Sequence, residues 1–330
     1  MKMLVMGGTR FNGLHLVQEL VRYGHDVTIL NRGVTETSVP QEVRRLFADR
    51  KDHKLLQHVL GGAEFDVIFD ISAYVLEDVQ SMVEIFEGRT GHYIFASSTV
   101  VSGATNILPI TEEFWVDSSS NQSDYGRNKL ICEEYLTKAY RQRHLPMTIA
   151  RFSMVFGPDN GLLDREQRMF TRLLAGRRIL IPGRGTTLGQ VGHVDDQARA
   201  LRMMALNPRT YGEIYNVTGK DYFTEEGYVD TCAKAVGVEP DKVFIPAAIM
   251  DQASPEVRRP LIQKLAPYIH RWDESTVFSI RKLCDHLAYE PSYTFEAAVR
   301  QTYEWFMLQG LDKQREYDFS DEDQLIERVG

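Results

Sequence analysis

The chain has 330 residues, enough for one large or two smaller domains. Hydrophobic residues make up 43% and charged residues 25%, the balance of a soluble globular protein with a sizeable core. The formal net charge of −8 excludes a global basic field that would draw in nucleic acid or an anionic membrane, and leaves only a local basic patch open.

In chain order, the first half alternates between two periods. Lys2 to Met6 is a short apolar run that ends at Gly7-Gly8 and reads as a buried strand. Phe11, Leu14, Leu16, Val17, Leu20 and Val21 then recur near helical spacing until Gly24, which reads as a helix stop. Further strands are expected at Asp26 to Leu30, Asp66 to Asp70, His92 to Ser97 and Met147 to Phe152. Helical stretches separate them at about Val79 to Phe86 and Tyr125 to Gln142. Strands alternating with helices imply a parallel sheet covered on both faces, with any ligand at the carboxyl edge. After Gly157-Pro158 the pattern weakens. Gly183 to Gly192 reads as a loop, His193 to Leu206 as a helix and Glu213 to Val217 as a strand that rejoins the first domain. From Thr224 helices dominate, interrupted by prolines, and the charged tail from Lys313 to Gly330 reads as peripheral. Cys132, Cys232 and Cys284 lie far apart, with no metal-ligand or CxxC spacing, and are expected to be small core residues of a reducing compartment. With no signal-like start and no apolar run near the roughly 18 residues of a membrane span, a cytoplasmic protein is expected.

Gly7-Gly8-Thr9-Arg10-Phe11-Asn12-Gly13 sits between the first strand and the first helix, where a dinucleotide pyrophosphate meets helix N-terminal amides. Gly7 suits a tight turn and Gly13 close packing of helix on strand; Arg10 replaces the middle glycine of the usual fingerprint. The second strand ends at Asn31-Arg32, without the acid that would hold the ribose hydroxyls of NAD. Arg10 and Arg32 would attract a 2′-phosphate, so NADP is favoured over NAD.

Tyr125 and Lys129 are four apart on a predicted helix and share one face. A phenol is a weak acid, and a neighbouring ammonium favours its ionised form. Such a pair can exchange a proton with a substrate oxygen while a nicotinamide moves a hydride. Ser97, Ser98 and Thr99 follow a strand directly, so their hydroxyls fall at the carboxyl edge.

Taken together, Gly7 to Gly13, Ser97-Ser98, Tyr125-x-x-x-Lys129, Arg151 to Pro158 and His193-Val194-Asp195-Asp196 resemble the extended short-chain dehydrogenases, the NAD-dependent epimerase/dehydratase superfamily. Tyr215-Asn216-Val217 and Leu287 to Pro291 continue the likeness. The resemblance implies a Rossmann domain over residues 1–157 plus about 193–218, a smaller mixed substrate domain over 158–192 plus about 219–312, and a tail over 313–330. It implies that Tyr125, Lys129 and Ser98 are catalytic. The cofactor would lie against Gly7, Thr9, Arg10, Phe11, Asn12, Gly13, Asn31, Arg32, Asp49, Arg50, Ser72, Ala73, Tyr74, Ser97 and Phe152 as well as Tyr125 and Lys129. Thr99, Met154, Gln190 and His193 are candidate substrate contacts. A homodimer through the tyrosine helix and no metal are also implied.

Two departures bear on substrate. Met154 and Gly189 stand where sugar-nucleotide enzymes of the superfamily carry an asparagine and an arginine for the diphosphate. Arg165, Arg168, Arg172, Arg177, Arg178 and Arg184 are possible replacements. Three functions remain open. The first is an epimerase or oxidoreductase acting on a hydroxyl or ketone of a sugar nucleotide or related polar molecule. The second is an NADPH-dependent ketoreductase of a non-nucleotide substrate. The third is a non-catalytic RNA-binding relative, which the Gly-Gly-Thr-Arg-Phe start and Asn31-Arg32-Gly33 bring in by likeness to chloroplast stem-loop RNA-binding proteins.

Overall fold

In the computed structural model, which describes residues 1–330 except 36–37, 163–164, 253–254, 269–273, 315 and 330, seven parallel strands form the central sheet. They are β1 (Lys2–Met6), β2 (Asp26–Asn31), β3 (Arg44–Phe47), β4 (Phe65–Asp70), β5 (Thr90–Ser98), β6 (Met147–Phe152) and a late strand, Glu213–Val217. The spatial order is Glu213–Val217, β6, β5, β4, β1, β2, β3. Strand order therefore reverses between β1 and β4, where an open α/β sheet leaves a crevice for a ligand. This is a Rossmann-like α/β fold.

Both sheet faces are apolar because both are covered. One face packs beneath α2 (His53–Leu60), α3 (Leu76–Phe86) and α4 (Asp124–Arg143), with Phe69's neighbour Ile68, Tyr93, Phe95 and Leu136 at its centre. The other packs beneath α1 (Phe11–Arg22), with Val5, Leu16, Ile29 and Tyr215 buried. Beyond β6 the chain forms β7 (Met154–Phe156), α5 (Glu166–Leu174), β8 (Ile179–Pro182), β9 (Leu188–Gly189), β10 (Val191–His193) and α6 (Val194–Met204). After β11 (Glu213–Val217) come β12 (Phe223–Thr224), α7 (Glu225–Val236), β13 (Lys242–Ile245), α8 (Ala247–Gln252), α9 (Pro255–Leu265), α10 (Arg281–Leu287), α11 (Phe295–Leu308), α12 (Leu311–Gln314) and α13 (Ser320–Val329). A separate core, with Phe170, Ile181, Tyr228 and Phe306, holds most of these carboxyl-terminal elements together.

Two expectations need correction. The 183–192 stretch is not wholly a loop: Leu188–Gly189 pairs antiparallel with β12, and Val191–His193 runs parallel to β7. The tail is not peripheral along its length either. Helix α13 buries Glu322 and Ile326, and Glu322 accepts three bonds from the Arg168 guanidinium at 2.7–2.9 Å. Its charged sequence hides this, because Glu322, and in part Asp323, turn toward arginines of α5 while Asp321 and Glu327 of the same helix face water.

Candidate active site

The turn after β1 forms because Gly7 takes φ +97, a left-handed conformation that costs a residue with a Cβ. A Cβ there would also fall 2.8 Å from Ser72 Cβ, beyond the end of β4. A Cβ on Gly13 would overlap the Gly7 carbonyl oxygen. The turn and α1 are thus pressed together at the β1/β4 crevice. The N-cap of α1, Arg10, makes no side-chain cap, so the first amides of the helix are left to bind something else. Asn12 Oδ1 and, at the end of β2, Asn31 Nδ2 are buried without a hydrogen-bond partner. An uncapped helix start and a cradle too tight for side chains fit a dinucleotide pyrophosphate, while Asn12 Oδ1, an acceptor, suits a donor such as a hydroxyl and Asn31 Nδ2 suits an acceptor. Arg10 and Arg32 are exposed and have no ion-pair partner among the described residues. Asp49 is exposed, and its Oδ1 accepts the Lys51 amide at 2.9 Å.

Tyr125 stands in the first turn of α4 and is 44% exposed. Ser123 caps this helix by accepting the Gly126 amide at 3.1 Å. Buried Gln122 donates to the Val100 carbonyl at 2.9 Å, which ties the helix start to the 99–101 turn after β5. The Tyr125 phenol consequently lies beside the Ser98 hydroxyl, near enough for Ser98 to favour the ionised phenol. Gln122 was not singled out in the sequence, where one polar residue in a polar loop carries no signal.

Lys129, one turn on, is 2% exposed. Its ammonium donates to the carbonyls of Ala73 and Ala96 at 2.7 Å each, and lies 5.1 Å from the Tyr74 ring centre and 5.7 Å from that of Tyr125. Burial pulls Lys129 down to about 8, against the attraction of Asp70. The Tyr125 phenol is raised by burial, with Ser98 and the charge of Arg165 pulling the other way. The expected downward shift of the phenol is therefore not present: desolvation outweighs the nearby cations, and the ammonium directs two hydrogen bonds to main-chain carbonyls.

The other candidates separate by environment. Ser72 and exposed Tyr74 lie beside the site, and the Tyr74 ring centre is 6.3 Å from that of Tyr125. Arg50 turns inward, onto Asp70. Ser97 is 3% exposed and donates to Glu133 at 2.5 Å, in a buried network where Arg151 holds the same carboxylate at 2.7 Å. Phe152, Thr99, Met154, Gln190 and His193 are buried at 7%, 0%, 6%, 2% and 2% exposure. Gln190 joins the Gly219 carbonyl to the Phe278 amide at 2.7 Å each, and His193 caps α6 while stacking 3.6 Å from Tyr293. These side chains lie in the packed interior, where Gln190 and His193 hold the backbone segments they bond.

The proposed replacement arginines are largely occupied. Arg168 pairs with Glu322, Arg172 and Arg177 with Asp323, and Arg178 with Asp241. At Gly189 a Cβ would overlap the Tyr268 ring, so no arginine fits there. Arg165 carries no ion pair among the described residues and is the cation that acts on the Tyr125 phenol.

No helix among the described residues is long and apolar enough to cross a membrane, and no group of metal-ligating side chains occurs among them. A crevice at the β1/β4 switch point with a serine, a tyrosine and a lysine at its carboxyl edge has the arrangement of a short-chain dehydrogenase type of site. Residues 3–218 match the model of the NAD dependent epimerase/dehydratase family, and the chain belongs to that family; its relatives include epimerases and reductases, which are enzymes. It is 31% identical to the chloroplast stem-loop binding protein of 41 kDa b from Arabidopsis thaliana, over 99% of this chain and 84% of that one. It is 23% identical to the 2′-dehydrokanamycin reductase of Streptomyces kanamyceticus, over 94% and 86%. Among solved structures, UDP-glucuronic acid 4-epimerase from Bacillus cereus in complex with NAD has the same fold. It superposes with a TM-score of 0.72 at 21% identity, covering 94% of this chain and 98% of that one.

Proposed function

We propose that the protein is an NAD(P)-dependent oxidoreductase or epimerase acting on a hydroxyl or ketone of a polar small molecule. The observation that carries this reading is Tyr125 beside Ser98, with the buried Lys129 ammonium 5.7 Å from the phenol ring centre. The nicotinamide, when bound, supplies or accepts the hydride. Tyr125 gives a proton to, or takes one from, the substrate oxygen, and Ser98 orients that oxygen. Lys129, a three-fold donor with two bonds made to Ala73 and Ala96, has one N–H for a ribose hydroxyl. Gly7, Thr9, Phe11, Asn12 and Gly13 hold the pyrophosphate. Arg10 and Arg32 favour the 2′-phosphate of NADP, with Asp49 toward the adenine. The protein works as a homodimer through α4, which leaves Ile131 37% exposed.

A second reading narrows the substrate to one without a nucleoside diphosphate. It is supported by the pairing of Arg168, Arg172, Arg177 and Arg178 within the chain and by the Tyr268 ring over Gly189. The 2′-dehydrokanamycin reductase, similar along most of its length, is named for a substrate that is not a nucleotide.

Fluorescence titration with NADPH and NADH tests the cofactor reading. NADPH is expected to bind at least tenfold more tightly, and Arg10→Ala with Arg32→Ala to erase the difference. Equal affinity in the unaltered protein would refute the NADP preference. Incubation with keto-sugars and with UDP-sugars then separates the chemistries: a reductase consumes NADPH mole for mole, whereas an epimerase leaves the pool unchanged.

A further inference from the structure

Arg50 enters the interior from the loop between β3 and α2 and is 12% exposed. Its Nη1 and Nη2 meet the two oxygens of Asp70 at 2.8 and 2.9 Å. Nη1 also donates to Ser72 Oγ at 3.0 Å, and Nη2 to the Asp78 carbonyl at 2.8 Å, while Nε lies 3.2 Å from the Asp78 carboxylate. Asp70 is wholly buried at the end of β4 and takes a further bond from Tyr93 at 2.6 Å. Asp78 accepts the amides of Tyr74 and Val75 at 2.8 and 3.2 Å. One guanidinium thus ties together both ends of the 70–78 turn. The middle of that turn is Ala73, whose carbonyl receives Lys129, and Tyr74, whose ring flanks Tyr125.

A buried ion pair is a weak device for stability, since apolar residues of similar volume often do as well. What this pair does supply is a fixed carbonyl and a negative charge beneath a buried ammonium. We propose that Arg50 and Asp70 are positioning residues for Lys129, a buried pair that holds the 70–78 turn so that Ala73 seats the ammonium and Asp70 keeps it charged for the nucleotide. The proposal rests on the nucleotide-binding reading above. It makes Arg50 an internal strut rather than a surface contact of the cofactor.

The groups facing Lys129 are Asp70 of β4, Arg50 of the β3–α2 loop, Tyr74 of the 70–78 turn, and Tyr125, Cys132 and Glu133 of its own helix. Asp70 is the strongest attraction on the ammonium, and Arg50 opposes it less. NADPH affinity should therefore fall as pH rises through about 8. Asp70→Asn leaves Arg50 facing the ammonium, and the midpoint is expected to drop by about one pH unit or more. Arg50→Gln with Asp70→Asn removes both charges, leaves no uncompensated ion in the interior, and should shift the midpoint the same way by less. Arg50→Lys keeps both charges but loses the fork; about tenfold weaker NADPH binding at an unchanged midpoint is expected. Lys129→Met should abolish the transition near 8. Melting temperatures at pH 7 establish which variants are folded.

A folded Asp70→Asn or double variant with the midpoint of the unaltered protein, or Arg50→Lys with undiminished affinity, would overturn the proposal. Failure of the unaltered protein to bind NADPH or NADH would instead refute the functional reading beneath it.

Discussion

His15 gives the sharpest test of the electrostatics around the dinucleotide turn. It lies on α1, is 8% exposed, and has a carboxylate on each ring nitrogen: Asp195 at 2.6 Å from Nδ1 and Asp159 at 3.2 Å from Nε2. A neutral imidazole has only one N–H, so both contacts are hydrogen bonds only when the ring is an imidazolium. Burial lowers its pKa, but the bonds and charges of Asp159 and Asp195 outweigh burial and raise it from 6.5 to about 9. Because the folded value lies above the unfolded one, the stabilisation is fully present below pH 6.5 and is lost as pH rises through about 9. That interval corresponds to about 3 kcal/mol. Asp159 and Asp195 are 40% and 43% exposed, so solvent screening reduces it to about 2 kcal/mol. His15→Gln keeps a side chain of similar size without the charge. Melting temperatures of both proteins, compared from pH 6 to 10, should differ by a few degrees at pH 6 to 7 and converge above pH 9. A difference that stays constant across this range would refute the imidazolium assignment.

Three further outcomes follow from packing and burial. Gly13→Ala should cost about 1–3 kcal/mol through the overlap with the Gly7 carbonyl and should abolish NADPH binding, read by thermal melting and nucleotide fluorescence. Glu322→Gln leaves the buried Arg168 guanidinium without its forked carboxylate, and urea unfolding should show a loss of about 3 kcal/mol or more. Glu166 is wholly buried and pushed up from 4.5 to about 7 by burial, against its hydrogen bonds to its own backbone and Asn160. The folded state then holds this proton longer than the unfolded state, so stability declines as pH rises from 4.5 through about 7. Glu166→Gln removes the titration, so its melting temperature should gain on that of the unaltered protein between pH 5 and 8.

The sequence made the first half of the fold legible because its strands are buried on both faces and read as short apolar runs. Met147–Phe152 and Glu213–Val217 coincide with the expected strands residue for residue. The edge strand Arg44–Phe47 was missed because it is largely exposed and has no apolar run to betray it. The helix expected from Val79 starts earlier, at Leu76, because Asp78 accepts the Tyr74 and Val75 amides and closes the first turn. Within the candidate site, the Tyr125/Lys129 spacing and the serines after β5 were visible. Gln122, Glu133 and the depth of the Arg50–Asp70 pair were not, since their partners are distant in sequence. One signal was available for Asp70: an acid closing the otherwise apolar run Val67-Ile68-Phe69 must be paired or protonated when buried.

The central claim is that the crevice between β1 and β4 holds a nicotinamide dinucleotide. Native mass spectrometry of the purified chain, as isolated and after incubation with NADP and NAD, measures this directly. One dinucleotide per chain is expected, with NADP displacing NAD in competition. A chain that neither retains nor takes up either nucleotide, while still folded by circular dichroism, would contradict the account.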